Sequence, residues 1–499
     1  MTRTQPRRQY SFIAKVLAAA ALIGMADLLL YGRSPGAAIG AFAIAWAGAL
    51  ALVRPVVRRR LASRISLAGA ASFAVIVFDD PSFLGSCLFW MAIASATLLP
   101  QHRFNDAISW GGRLIRHAII GIASPLRDLN RLTIVGRQSD RASVRAVLAL
   151  LALPVVGGGV FLALFANANP LISDAFRAIR FPGLWSAVAH LAFWLAMSLI
   201  IWPNFRPRNT VSSRRSMVAG IAPSAPDLPL ATLKLSLLTF NVIFAVQNGL
   251  DLAFLWSGAA LPSGVTLADY AHSGAYLLIV TALLAGAFVL VASRPGSLGS
   301  ESTMVRRLLV AWIAQNLLLV ASSALRTLDY IDAYSLTRLR IAALAWMALV
   351  GIGLVLIGWR MLRGGSARWL INANAVTAGV VLTASSIVDY GAVAAAWNIR
   401  HARTAADLDL CYLHGLGSSS LLPLMELERR AQGPVLRDQA AFIRSRIMAD
   451  LSRDQSDWHS WTWRNARRLT AARRVIGSAP RQPSAAPHGR TCAGAVNMR

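Results

Sequence analysis

The chain has 499 residues, of which 56% are hydrophobic and only 14% charged, and its formal net charge is +28. Soluble domains carry about a quarter charged residues, so an ordinary soluble enzyme is excluded. Nucleic-acid binding, the usual reading of such a charge, is set aside because the arginines lie between apolar runs and in the C-terminal tail, where they act as membrane-orientation signals.

The apolar runs approach the ~20 residues a helix needs to cross the hydrocarbon core, and they lack the period-2 alternation of barrel strands. The expected fold is all-α. A polytopic transmembrane bundle of about 11 spans occupies 1–399, followed by a helical C-terminal region over 400–477 and a disordered tail over 478–499. The N-terminus reads Arg7-Arg8-Gln9-Tyr10-Ser11-Phe12. It resembles a secretory or twin-arginine signal, but no clear small-residue cleavage site follows, so an uncleaved first span is expected.

Spans are expected near 12–31, 36–53, 65–78, 82–99, 144–166, 183–203, 233–256, 271–293, 304–325, 340–361 and 372–397. The run over 65–78 is short enough to be tilted or re-entrant. Arg54, Arg58, Arg59, Arg60 and Arg64 follow the second run, and an Arg-rich amphipathic loop over 100–143 follows the fourth. Pro154 with Gly157-Gly158-Gly159 interrupts the fifth as a broken helix, a kink or a close packing point. Arg206, Arg208, Arg214 and Arg215 make the next basic loop, and from Leu235 to Ser293 there is no Lys or Arg. This alternation places the N-terminus and basic loops in the cytoplasm of a bacterial inner membrane and the loop around Ser263 outside.

An odd span count puts the C-terminal region outside, although it is Arg-rich. Trp458, Trp461 and Trp463 lie there among Arg464, Arg467 and Arg468, as a membrane-interface patch or as the core of a small helical cap. Cys87, Cys411 and Cys492 have no paired spacing, so neither a disulfide framework nor a metal site is expected.

Polar residues inside spans are the candidate binding residues, because each costs free energy in lipid. Asn241, Gln247, Asn248 and Asp251 fall within an arc of ~120°. Gln315, Ser322, Arg326 and Asp329 follow one stripe ~60° wide, with Arg326 and Asp329 spaced to pair at i, i+3. Asn372, Thr383, Ser386 and Tyr390 share a face of the last span, with Asp389 beside it. Either these stripes line a cavity for a polar solute, or they hydrogen-bond across helices as glue. Asp27, Asp79, Asp80, Asp174, Asp251, Asp269, Asp329, Asp332 and Asp389 all fall at expected outer ends. They form an acidic mouth or simply complement the positive-inside rule. No Walker lysine, zinc-binding His-Glu-x-x-His or Gly-x-Ser-x-Gly pattern occurs. No catalytic residue is assigned and no cofactor or metal is expected.

Three stretches resemble a known family. They are Asn241 to Asp251 continuing through Leu261-Pro262-Ser263-Gly264 to Asp269-Tyr270-Ala271-His272; Arg326-Thr327-Leu328-Asp329-Tyr330-Ile331-Asp332 through Arg340; and Asn372-Ala373-Asn374, Trp397-Asn398 and Asp409-Leu410-Cys411-Tyr412-Leu413. The chain resembles the bacterial membrane family of domain of unknown function 4173, a relative of 4153. The resemblance implies a polytopic membrane protein and assigns no reaction.

The leading expectation is a non-enzymatic envelope protein that binds or moves a small polar solute, with the lipid bilayer as its surroundings and no nucleic-acid partner. The alternatives are a membrane transferase acting on a lipid-linked substrate, using Asp79-Asp80 or Asp329 with Asp332, and a scaffold of an envelope complex. The oligomeric state is not legible.

Overall fold

The computed structural model describes residues 5–34, 36–122, 124–125, 128, 184–207, 229–253, 302–477, 481–486 and 488–496. The described residues are all-α, with sixteen helices. They fall into two compact units: residues 1–78, 86–103 and 111–212, and residues 79–85, 104–110 and 213–499. The expected spans at 144–166 and 271–293, the Pro154 interruption, Asp174, Asp269 and the Ser263 loop lie outside the described residues.

The first unit contains α1 (Gln5–Leu30), α2 (Ala38–Val53), α3 (Pro55–Arg59), α4 (Leu61–Asp79), α5 (Phe83–Leu98), α6 (Ala107–Ile122) and α7 (Leu184–Phe205), apart from the end residues of α4, α5 and α6 that belong to the second unit. Its core joins Ala26, Trp46, Leu50, Ala70, Ile93 and Phe205. Small residues let these helices approach closely: a Cβ on Gly40 would collide with the backbone of Phe78.

The second unit contains α8 (Leu230–Asp251), α9 (Thr303–Tyr334), α10 (Arg338–Arg363), α11 (Ala367–Ile387) and α12 (Tyr390–His401). These are followed by α13 (Leu410–Gly415), α14 (Leu421–Arg430), α15 (Pro434–Ser456) and α16 (Trp463–Ile476). Local capping chemistry sets the starts. The side chains of Ser302, Thr337, Ser366, Asp389, Asp409 and Thr462 each accept from a first-turn N–H of α9, α10, α11, α12, α13 and α16. The α10–α11 turn closes on Gly364 at φ +68°, which glycine adopts without steric cost.

Seven described helices are long and apolar enough to cross a membrane: those at Phe12–Leu30, Leu61–Asp79, Trp185–Phe205, Leu230–Asp251, Thr303–Tyr334, Arg338–Arg363 and Ala367–Ile387. The chain is thus read as a multi-pass membrane protein, with about 11 spans not shown. Two of the expected spans are shorter helices, α2 and α5, of 16 residues each. The run expected to be short, 65–78, belongs to a 19-residue helix.

Three expectations are corrected. The last span does not run from 372 to 397: α11 ends at Ile387, and Asp389 caps a separate helix, α12. A carboxylate that accepts the Ala392 N–H satisfies an orphan donor better at a helix start than in a helix interior. Cys411 and Cys492 form a disulfide, Cα–Cα 5.0 Å, across 81 residues of sequence that spacing alone did not connect. The described part of the tail is also not free chain. Arg490 bridges to Val496 and pairs with Asp438 at 2.6 Å, and the Arg481 carbonyl accepts from Arg444 at 2.7 Å.

Helices α12 to α16 have their own core of Leu413, Leu421, Leu424, Ile443, Leu451 and Leu469. This is the C-terminal cap.

Candidate functional site

Helices α8 and α9 meet along an apolar seam of Leu237, Leu309, Trp312 and Ile313. Polar groups enter it in sequence order. Asn241 Nδ2 donates to the carbonyls of Leu237 (2.7 Å) and Leu308 (3.1 Å), while its Oδ1 accepts from Gln315 Nε2 (2.8 Å). Asn248 Nδ2 donates to the Gln315 carbonyl at 3.2 Å. Gln247 Nε2 donates to Asp251 Oδ1 at 3.1 Å, and Arg326 forms an ion pair with the same oxygen. The side chains of Arg326 and Asp251 are only 9% and 2% exposed, so this is a buried pair.

The Arg326–Asp329 pair expected at i, i+3 is not formed, because Arg326 turns across the seam to Asp251. A buried, uncompensated carboxylate costs several kcal/mol, whereas a pair on an exposed helix face contributes about 0.2–0.5 kcal/mol, so the buried partner wins. Asp329 and Asp332 are exposed near the end of α9, with no partner among the described residues.

The two ends of the seam differ in satisfaction. At the Asn241 end both the amide and the carbonyl oxygen are used. At the Asp251 end two buried acceptor oxygens, Asn248 Oδ1 and Asp251 Oδ2, have no donor among the described residues, and Gln315 Oε1, beside Asn241, is a third. Each orphan costs about 1–3 kcal/mol unless something occupies it.

The acidic mouth is resolved differently. Arg464 Nε donates to Asp79 Oδ2 at 2.9 Å, and its Nη1 donates to Asp80 Oδ2 at 2.8 Å. Its Nη2 donates to the Ile387 carbonyl at 2.8 Å. Arg467 adds a second bond to Asp79 at 2.6 Å. Arg468 pairs with Asp389, which also accepts from Ser419 Oγ at 3.0 Å. Burial pushes Arg468 below its ordinary value, and Asp80 and Asp79 oppose that shift. Three carboxylates expected to face an open mouth are therefore countered by the cap. The sequence shows these arginines but not their partners. The available signal was complementarity: an Arg excess on a region expected outside, against an Asp excess on outer ends.

The α9–α10 turn is clamped to the cap as well. The Asn398 amide accepts from Leu336 N–H at 2.6 Å and donates to the Leu336 carbonyl at 3.0 Å, so one side chain substitutes for two backbone partners. Tyr412 Oη accepts from Arg338 N–H at 3.0 Å. In addition, Asn372 Oδ1 accepts from Ala107 N–H at 3.0 Å. The stretches 326–340, 397–398 and 409–413 thus meet at one structural joint.

The family model of a domain of unknown function, DUF4153, matches residues 61–427. The chain belongs to the DUF4153 family. The match starts with α4 and ends inside α14, so it covers the seam and the clamped turn of this DUF4153 protein but not Arg464, Arg467 or Arg468. It bears out the 4153 relationship in the sequence resemblance, and the 4173 assignment is not shown. No curated protein and no solved structure matches the chain.

Proposed function

We propose that this DUF4153 protein is a non-enzymatic component of a bacterial inner membrane that holds a small, hydroxyl-rich polar solute at the Asp251 end of the α8–α9 seam. The observation that carries this reading is the pair of buried acceptor oxygens on Asn248 and Asp251, without donors among the described residues, with Gln315 Oε1 a third further along the seam. Oxygen acceptors in an apolar bundle select a ligand that brings hydrogen-bond donors. Arg326 beside them disfavours a metal cation and adds a donor of its own. Asn241, fully engaged, serves as interhelical glue.

The cap supports the proposed orientation. The ends of α9 and α11 and the Asp79-Asp80 turn all bond to cap residues, so they share one side. A disulfide persists in oxidising compartments, which supports placing the cap in the periplasm, while the N-terminus is proposed in the cytoplasm from its Arg-rich loops. Arg306, Arg307, Arg363 and Arg368 then flank the opposite ends of α9, α10 and α11, in keeping with the positive-inside rule. The expected outer-loop residue Asp269 is retained as a further contact in this proposal.

The test is complementation of a strain lacking the chain, read by profiling polar metabolites on both sides of the membrane. The wild-type gene restores the profile, and Asn248→Leu/Gln315→Leu at equal abundance does not. Full restoration by that double variant sinks the reading and leaves the seam as packing.

A further inference from the structure

Helices α14, α15 and α16 and the described tail line an open pocket of about 330 Å³ in the cap. Arg429, Arg437, Arg444 and Arg481 line it with Glu428 and Ile476. Four arginines against one glutamate leave a net of +3. Arg444 is 4% exposed and already engaged: its Nε donates to Glu428 at 2.7 Å and its Nη2 to the Arg481 carbonyl at 2.7 Å. It therefore neutralises Glu428 and fixes the position of the tail. Arg437 commits its Nε to the Ala431 carbonyl, and no bond of its Nη groups is recorded among the described residues. The guanidinium groups of Arg429 and Arg481 have no partner among the described residues.

This arrangement is not what stability alone selects. Three guanidinium groups line one pocket and repel each other, weakly for the exposed Arg429 and Arg481, and Arg437 stands in the first turn of α15, the end of a helix that favours anions. An occupant with several negative oxygens removes both penalties. A single carboxylate offers two oxygens and one charge, whereas a phosphate or diphosphate offers more of each, in the geometry the planar guanidinium fork engages two bonds at a time.

We infer that this pocket is a binding site for a phosphate-type oxyanion, held by Arg429, Arg437 and Arg481 and organised by Arg444. The site is separate from the α8–α9 seam and does not depend on the proposal made for it. The ligand is either a free phosphate compound or the phosphate of a lipid headgroup, and the chemistry of recognition is the same.

The test uses the full-length chain in non-ionic detergent with the disulfide intact. Binding of inorganic diphosphate and of a short-chain, soluble phosphatidylglycerol is measured by calorimetry, with acetate as the control anion. At least one phosphate probe binds and acetate does not; which probe binds more tightly identifies the source. Arg429→Gln/Arg481→Gln weakens that binding by about tenfold or more, because two charge-assisted contacts are lost, and Arg429→Lys/Arg481→Lys weakens it less. Should the Gln variant fail to form the Cys411–Cys492 bond, wild-type protein is labelled with an arginine-selective dicarbonyl instead, and the phosphate probe protects Arg429 and Arg481. No binding of either probe, binding unchanged in a folded Gln variant, or labelling at Arg429 and Arg481 unaffected by the probe overturns the inference.

Discussion

The seam of α8 and α9 and the C-terminal cap both place arginine beside aspartate, yet they solve different problems. In the seam one Arg326 meets one Asp251, both almost fully buried, and Asn248 Oδ1 and Asp251 Oδ2 have no donor among the described residues. In the cap Arg464 divides its guanidinium between Asp79, Asp80 and a carbonyl, and Arg467 supports Asp79 a second time. Redundancy is easy where water screens the extra charge, since an exposed pair contributes only about 0–1 kcal/mol. It is costly in an apolar interior, where every added ion must be desolvated. The cap is thus built as an attachment, and the seam as a sparse polar network.

Breaking the seam pair has the largest expected effect. Arg326→Ala leaves the Asp251 carboxylate buried without its counter-charge, which costs about 3–5 kcal/mol. Thermal unfolding of the detergent-solubilised chain reads this loss. Arg326→Leu/Asp251→Leu costs clearly less than the sum of the single changes, since neither partner is then stranded. Additive single effects would show that the two side chains do not act as a pair.

Loosening the cap has a smaller effect. Arg464→Ala removes two ion pairs and the bond to Ile387, but Asp80 is 45% exposed and Arg467 still holds Asp79. The expected cost is about 1–3 kcal/mol, in place of the seam's larger penalty. Hydrogen exchange in α16 accelerates while exchange in α8 and α9 does not. Salt mimics the substitution in the cap and leaves the seam unchanged, because buried pairs are poorly screened. Equal salt sensitivity in both regions would remove the distinction drawn between them.

The sequence exposes these regions unequally. Apolar runs of helical length mark the membrane helices, and the 3.6-residue period brings Asn241, Asn248, Asp251, Gln315 and Arg326 onto facing stripes. Local spacing suggested Asp329 as the partner of Arg326, because i, i+3 neighbours are visible in a sequence whereas Asp251, 75 residues away, is not. Asp389 was read as a charge beside a span face; the break at Val388 that makes it a helix cap depends on which N–H it meets. Cys411 and Cys492 carry no periodic signal, and the tail's composition gives no sign that Arg490 finds Asp438. Apart from the local cap at Asp389, these are long-range pairings, which the tertiary fold selects from many equivalent candidates.

The smallest expected effect distinguishes the cap's tail from everything else. Burial pushes the Asp438 carboxyl up, but Arg490 at 2.6 Å and the Ser484 N–H at 2.7 Å outweigh it, so its pKa lies below the ordinary value. A carboxyl whose pKa is depressed on folding stabilises the fold fully above its unfolded value, about 3.9, and that contribution disappears as pH falls through the lower folded value. The tail should therefore stay clasped from neutral pH to about pH 4 and loosen below it. Reduction of Cys411–Cys492 by a phosphine, which remains active in acid, reports the loosening: the rate rises below about pH 4 in the wild-type chain. Asp438→Asn, which cannot ionise, shows the faster rate at every pH and loses the acid step. An acid step that persists in Asp438→Asn would assign the pH dependence to another group and leave the clasp held by Phe442 under Arg490 and by the disulfide itself.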